Sequence, residues 1–386
     1  MLAETVGAII MIGAKGSTPQ EQTVERALRA SVLDLLDMLV AQDVRPVIVA
    51  GRDLDWLPGT TGVVRDVDRG PFHFGERLAG LIERHDLARV LYFGAGSAPL
   101  LTREELGRII AKLLRHAEEP GPTVPAPVAL TNNLHSSDWI GISYAREALP
   151  VIRQAVRDNS LAWMLEQSGM FDVRVVASAR PAANLDLDTP ADLAIARLHP
   201  DCPPHLARAL ANPLLDRIPI DSIAAITARD GGRLALIGRV APLAWQALSK
   251  SSQCWIRAFS EERGMVASER AERGEVRSLV ERVLAILGPE RFFDELGQIV
   301  DAAIIDSRVL MAASGHYPGD ADRFASDLYL VDEIVDPWVR AFTSAAAGAP
   351  IPVLLGGHGV VAGGLYALAD IVAARRRAGR ATDQES

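Results

Sequence analysis

Short apolar runs separated by amphipathic stretches recur along the first half of this chain and constrain its fold more than any other feature. Residues 6–12 (VGAIIMI), 45–51 (RPVIVAG) and 89–93 (RVLYF) are nearly continuous apolar segments, as strands covered on both faces must be. Between them, residues 21–42 and 74–85 carry helical spacing. Thr102 with Glu105 three positions on is the capping box of a further helix. Strands are also expected at 61–66, 125–131, 139–144 and 172–177, and helices at 147–156 and 160–168. Strands alternating with helices at this spacing imply an α/β fold with a doubly wound, mostly parallel sheet, whose ligands sit at the carboxyl ends of the strands.

A chain of 386 residues exceeds one ordinary core, so two domains are expected, 1–200 and 201–386, divided at the proline-rich segment 198–204 (LHPDCPP). The second half again reads as α/β. Helices are expected at 204–216, 242–249, 275–287 and 290–300. Strands are expected at 224–227, 233–237, 254–259, 302–305 and 351–355, with Asp230-Gly231-Gly232 as a hairpin-type turn. A formal charge of −9 argues against non-specific nucleic-acid binding, which wants a basic surface. Cys202 and Cys254 form neither a CxxC nor a disulfide framework. The apolar start is too short to span a bilayer and has no basic flank, so a soluble, cytoplasmic protein without a membrane partner is expected.

Four stretches of the first half can carry chemistry. Gly13-Ala14-Lys15-Gly16-Ser17, between a strand and a helix, has the general form of a phosphate-cradling turn, although it lacks a GKS/T ending and a plain turn explains it equally. Residues 94–101 (GAGSAPLL) follow another strand. The polar loop 132–138 (NNLHSSD) offers Asn132, Asn133 and Asp138 to a base, sugar or metal, or is a hydrogen-bonded turn. In 184–193 (NLDLDTPADL), Asp186 and Asp188 alternate with Leu185 and Leu187 before a helix capped by Thr189 and opened by Pro190. Two carboxylates beside a helix start suit a divalent cation; the alternative is a solvated strand residue and a turn residue.

The order of elements, VLYFGAGSAPLLTREEL and LDLDTPADL together resemble the GT-A-type nucleotidyltransferases, over about residues 1–200. The molybdenum cofactor guanylyltransferases and 2-phospho-L-lactate guanylyltransferases are the similar families. The resemblance implies a nucleoside triphosphate on the first Gly-rich loop (Gly13, Lys15, Gly16) and Mg²⁺ held by Asp188 with Asp186 nearby. It also implies base and acceptor pockets shaped by Ser97, Asn132 and Asn133, and catalysis resting on Lys15 and Asp188. Two positions depart from the family pattern: Ser97 stands where the family has a metal-binding aspartate, and the first loop supplies Lys15 alone before turning acidic. The activity implied is transfer of a nucleoside monophosphate to a small phosphorylated acceptor, an architecture that also admits a homodimer. A catalytically degenerate nucleotide-binding scaffold and a nucleotide-sugar glycosyltransferase are the alternatives on the same fold.

In the second half, Gly356-Gly357-His358-Gly359 opens a segment with five glycines in nine residues between a strand and a helix, more than a turn requires. It implies close approach of a ligand or of another backbone. Asp306-Ser307-Arg308 ends a strand and is expected to make a buried structural ion pair. His316 and Arg323 flank a polar loop able to offer an acid–base group and an anion clamp.

Overall fold

The computed structural model describes residues 5–13, 16–115, 127–176 and 181–384. These fall into two compact units, one within the spans 1–14 and 28–184, the other within 15–27 and 185–386.

The first unit is built on a seven-stranded sheet. Its strands are β1 (Gly7–Ile12), β2 (Val47–Gly51), β3 (Val63–Val67), β4 (Val90–Gly94), β5 (Val128–Thr131), β6 (Trp139–Ile142) and β7 (Asp172–Val175), in the order β3-β2-β1-β4-β6-β5-β7. All pair in parallel except β6, which is antiparallel to both neighbours. Every residue of β1 and β2 is buried, which is why these strands read as continuous apolar runs rather than alternating ones. Ile9 and Met11 of β1 pack with Leu78, Leu81 and Ile82 of the Phe74–Arg84 helix. The winding reverses between β1 and β4, so the crevice at their carboxyl ends is where a doubly wound sheet receives a ligand.

The second unit holds a four-stranded, wholly parallel sheet. Its strands are β8 (Arg233–Gly238), β9 (Trp255–Ser260), β10 (Ala302–Asp306) and β11 (Val353–Gly356), in the order β11-β10-β8-β9. One face of the sheet (Ala235, Ile237, Ala303, Ile305, Val353, Leu355) packs on Phe292, Phe293 and Phe342. The Ile220–Ala228 helix lies against β8, β10 and β11.

Four expectations are corrected. Residues 224–227 are not a strand but part of the Ile220–Ala228 helix, whose buried residues Ile220, Ile223, Ala224 and Thr227 fall at helical spacing. A four-residue apolar run carries no period of its own, so only its neighbours could have shown this. Asp230-Gly231-Gly232 is accordingly a helix-to-strand turn, with Gly231 at φ 72°. The helix expected over 204–216 stops at Leu210, and Pro213 opens a separate 3₁₀ turn, Pro213–Arg217, because proline offers no amide to continue the ladder. Residues 185–188 form no ladder strand; Asp186 makes one isolated bridge.

The proline-rich segment 198–204 lies inside the second unit rather than between the two. The reason is the Pro190–Leu198 helix, whose residues Pro190 to Ala196 are all buried and which contacts β11. Among the described residues no helix is long and apolar enough to cross a membrane.

Candidate functional site

At the winding reversal of the first unit, β4 hands over to a loop tied to its neighbours. The Ala95 amide donates to Met11 O at 3.0 Å, fastening this loop to β1. Ser97 Oγ donates to Asp138 O at 2.6 Å, and Ala98 takes a left-handed φ of 48° to complete the turn. Asp138 is gripped in turn by Asn132, whose Nδ2 donates to Asp138 Oδ2 (2.6 Å) while its Oδ1 accepts the Asp138 amide (3.1 Å). Asn133 Oδ1 accepts the His135 amide at 3.0 Å, a local Asx turn. The fold thus brings Ser97, Asn132 and Asn133 to one end of the sheet and uses their side chains to shape its loops. Asp158, which no motif flagged, joins them: its Oδ2 accepts Tyr92 OH at 2.9 Å and would stand 3.7 Å from a Cβ at Gly94.

On the same edge of the sheet, three strands from β4, the carboxyl end of β3 borders a cavity of about 610 Å³. Arg65, Arg69, His73, Arg77 and Arg84 line it beside Asp66 and Asp68. Arg77 spans both carboxylates, with Nε to Asp68 Oδ1 at 2.7 Å and one Nη to Asp66 Oδ1 at 2.9 Å; Arg84 pairs with Asp66 as well. Burial alone would raise the Asp66 pKa, but hydrogen bonds from Arg84 and Arg77 outweigh it and hold the carboxyl below its ordinary range. His73 caps the helix behind the cavity, its Nδ1 accepting the Glu76 amide at 3.3 Å. The arginine-rich RDVDR of residues 65–69 is the sequence signal for this cavity.

Lys15 and Ala14 lie outside the described residues. Gly13 is exposed. Gly16 is exposed and lies close to the Glu21 carboxylate, which would have to move for a Cβ there. Glu21 in turn caps the following helix, accepting the Thr18 amide at 3.0 Å.

Asp186 and Asp188 belong to the second unit. The alternating Leu185 and Leu187 are buried, Asp186 is half-buried and Asp188 is exposed. Asp186 Oδ1 accepts the Leu187 amide at 3.0 Å. Thr189 is the N-cap expected, in a capping box closed by Asp192, whose Oδ2 accepts the Thr189 amide (2.9 Å) and hydroxyl (2.8 Å). Among the described residues no group of three or more His, Cys, Asp or Glu could hold a metal ion. Two carboxylates suffice for Mg²⁺ only where phosphate oxygens complete the shell, the usual mode for this ion, and hard oxygen donors are the right chemistry for it.

The glycine loop after β11 meets this same helix. A Cβ at Gly356 would lie 3.0 Å from Ala191 Cβ, one at Gly357 3.1 Å from Thr189 Cγ2, and one at Gly359 2.3 Å from Asp192 Oδ1. These glycines leave room for the side chains of the helix start at Thr189–Asp192. Asp306 and Arg308 do not pair with each other; each is buried in its own ion pair, Asp306 with Arg239 and Arg308 with Asp327. His316 Nδ1 lies 3.0 Å from Asp336 Oδ2 and its ring stacks on Trp338.

No family profile matches the chain, and no curated protein matches it. Solved structures similar to it include 2-C-methyl-D-erythritol 4-phosphate cytidylyltransferase from Thermus thermophilus, at 16% identity and TM-score 0.33 over 53% of this chain and 98% of that one. A CMP:2-keto-3-deoxy-manno-octonic acid synthetase complexed with CTP matches at 15% identity and TM-score 0.32 over 48% of this chain and 95% of that one. The bifunctional IspDF from Campylobacter jejuni matches at 12% identity and TM-score 0.34 over 48% of this chain and 53% of that one, so the match spans about half its length. These likenesses extend over about half the chain, as does the GT-A-type resemblance in the sequence.

Proposed function

We propose that this protein is a nucleotidyltransferase-like enzyme that moves a nucleoside monophosphate from a nucleoside triphosphate to a small phosphorylated acceptor. The observation that supports it is the first unit's doubly wound sheet, whose winding reverses between β1 and β4 with a hydrogen-bonded polar loop system at that point. The 610 Å³ cavity at the end of β3 has the size of a small-molecule site and a lining of guanidinium groups suited to phosphate oxygens. Within the first unit, loops 94–101 and 132–138 would set the base and acceptor pockets. The resemblance in the sequence assigns Lys15 to phosphate charge and Asp186 and Asp188 to Mg²⁺, which their hard oxygen donors would hold. Catalysis of this kind is mainly positioning and charge stabilisation.

A second reading, binding without turnover, is favoured by one observation: Ser97 and Asn132 already spend polar atoms on Asp138. Thermal stability against a panel of nucleoside triphosphates and nucleotide-sugars, with and without Mg²⁺, separates the cases. A ligand that binds the native state raises its stability by about 2.7 kcal/mol at a hundred times its Kd. One triphosphate protecting only with Mg²⁺, with protection lost in Asp188→Ala and pyrophosphate released on adding acceptor, is the expected result. Protection without pyrophosphate release favours the scaffold, and preference for a nucleotide-sugar favours a glycosyltransferase.

A further inference from the structure

The two edges of the second unit's sheet differ. At one end of the strand order, every residue of β11 is buried. At the other, β9 pairs among the described residues with β8 alone, and five of its six residues are exposed, Trp255 at 70% and Phe259 at 40%. An open edge of this length that carries aromatic side chains is a template for another strand, and proteins ordinarily cover, shorten or charge such edges. β9 has one charge, Arg257, and no proline.

The free backbone groups of this edge follow from its pairing. The Trp255 amide donates to Gly232 O at 2.6 Å and the Glu261 amide to Gly238 O at 2.9 Å, so the odd-numbered residues spend their backbone groups on β8. Alternation along the strand turns the amides and carbonyls of Ile256, Ala258 and Ser260 to the open side. The register sets Trp255, Arg257 and Phe259 beside Arg233, Ala235 and Ile237, on the face where Ala235 and Ile237 pack with Leu284 of the Leu279–Leu287 helix.

That helix starts at the end of β9, its Leu279 amide donating to Glu261 Oε2 at 3.0 Å. Leu279, Val283 and Ile286, spaced as one helical stripe, are 61%, 40% and 82% exposed. Aromatic side chains carry about 150–250 Å² and aliphatic ones about 100 Å². At those sizes the exposed parts of these five side chains offer roughly 400 Å² of apolar surface. This is close to the apolar share of a standard interface, about 800 Å² per partner and somewhat over half apolar.

We propose that β9 pairs with β9 of a second copy of this chain, antiparallel about a two-fold axis at Ala258. Two four-stranded sheets become one of eight strands, whose outer edges are the buried β11 strands. With the axis at Ala258, that residue exchanges backbone bonds with its counterpart and Ile256 does so with the partner's Ser260, so the groups used are the free ones. Arg257 then stands across from the partner's Phe259, a cation against an aromatic ring, once on each side of the axis. An axis at Arg257 would set two guanidinium groups directly opposite, and one at Ile256 would leave half of each strand unpaired. The side chains thus select the register. Such a pair is isologous and closed, so it removes the open edge without growing a filament. The surface lies wholly within the second unit and stands independently of the nucleotidyltransferase reading.

The test is sedimentation velocity of the full chain from micromolar to hundreds of micromolar, with circular dichroism as the check on folding. Wild type sediments at twice 41.5 kDa. Phe259→Arg sets guanidinium groups across from each other, weakens association by about tenfold or more and remains folded. Adding Arg257→Glu to that variant makes the facing charges opposite and restores the dimer, a rescue that a purely structural defect would not allow. Trp255→Ser, which removes exposed area, weakens the dimer as well. A wild type that stays a single chain over the whole range overturns the proposal, as does a mass that keeps growing beyond two copies. Undiminished association in both Phe259→Arg and Trp255→Ser overturns the β9 interface, and failure of Arg257→Glu to rescue Phe259→Arg overturns the register.

Discussion

Asp192 Oδ1 lies directly against the backbone of Gly359, 2.3 Å from where a Cβ of that residue would stand, in a carboxyl with no exposed surface. Two sequence motifs some 170 residues apart, DTPADL and the glycine loop, are therefore one packing contact of the second unit. Gly359→Ala must push a buried side chain aside. It is expected to destabilise the protein by about 1–3 kcal/mol, read as a lower midpoint of denaturant unfolding with unchanged slope. Wild-type stability in this variant would mean that the contact is slack.

The same carboxyl sets a pH dependence. Burial first, then the charge of Asp188, raises the Asp192 pKa to about 8, with Asp327 adding to it. The unfolded chain loses this proton near pH 4 while the native state keeps it to about pH 8. Its stabilising contribution is thus complete at the acid end and declines as pH rises through that window, by up to about 1.4 kcal/mol per unit. Asp192→Asn can still accept the Thr189 amide and has no proton to lose. The melting-temperature difference between variant and wild type is expected to shift in favour of Asp192→Asn from pH 5 to pH 8. A difference independent of pH would show that Asp192 is ionised in the native state.

Asp306→Asn tests the buried pair with Arg239. Removing one charge leaves the other buried without its partner, an effect of about 3–5 kcal/mol in buried pairs. Equilibrium unfolding should show a loss of this order. A loss below about 1 kcal/mol, the range of exposed pairs, would mean that Arg239 swings to solvent.

Arg69→Ala probes the first unit's cavity. The side chain lines the cavity at the end of β3, and its removal takes away a fork suited to phosphate. The ligand-free melting temperature should stay within the spread of a surface substitution, about 0.5 kcal/mol, while protection by the triphosphate falls. Undiminished protection would place the phosphates elsewhere.

Much of the fold was legible in the sequence. Residues 6–12, 45–51 and 89–93 are apolar throughout because both faces of those strands are covered, and that demand is local enough to read. Thr102 with Glu105 and Thr189 with Pro190 announced their helix starts for the same reason: a cap is satisfied within four residues. The failures were equally physical. Residues 224–227 were too few to carry a period, and nothing local told a buried helical turn from a strand. For the loops of the candidate site, sequence supplied residue types but not partners, so Asp138 as the common partner of Ser97 and Asn132 was beyond its reach.

What the sequence determined by itself was the alternation of strands and helices, hence parallel sheets with their ligand edges at the carboxyl ends, because hydrophobic period and caps are properties of neighbouring residues. Tertiary structure decided which distant motifs meet. Asp192 closes on Gly359 and Arg239 on Asp306 across intervals of many tens of residues, and Arg308 on Asp327 across 19. A buried carboxylate takes whichever donor the sheet order delivers to it, and strand order is fixed by the packing of the whole unit rather than by any one stretch of chain.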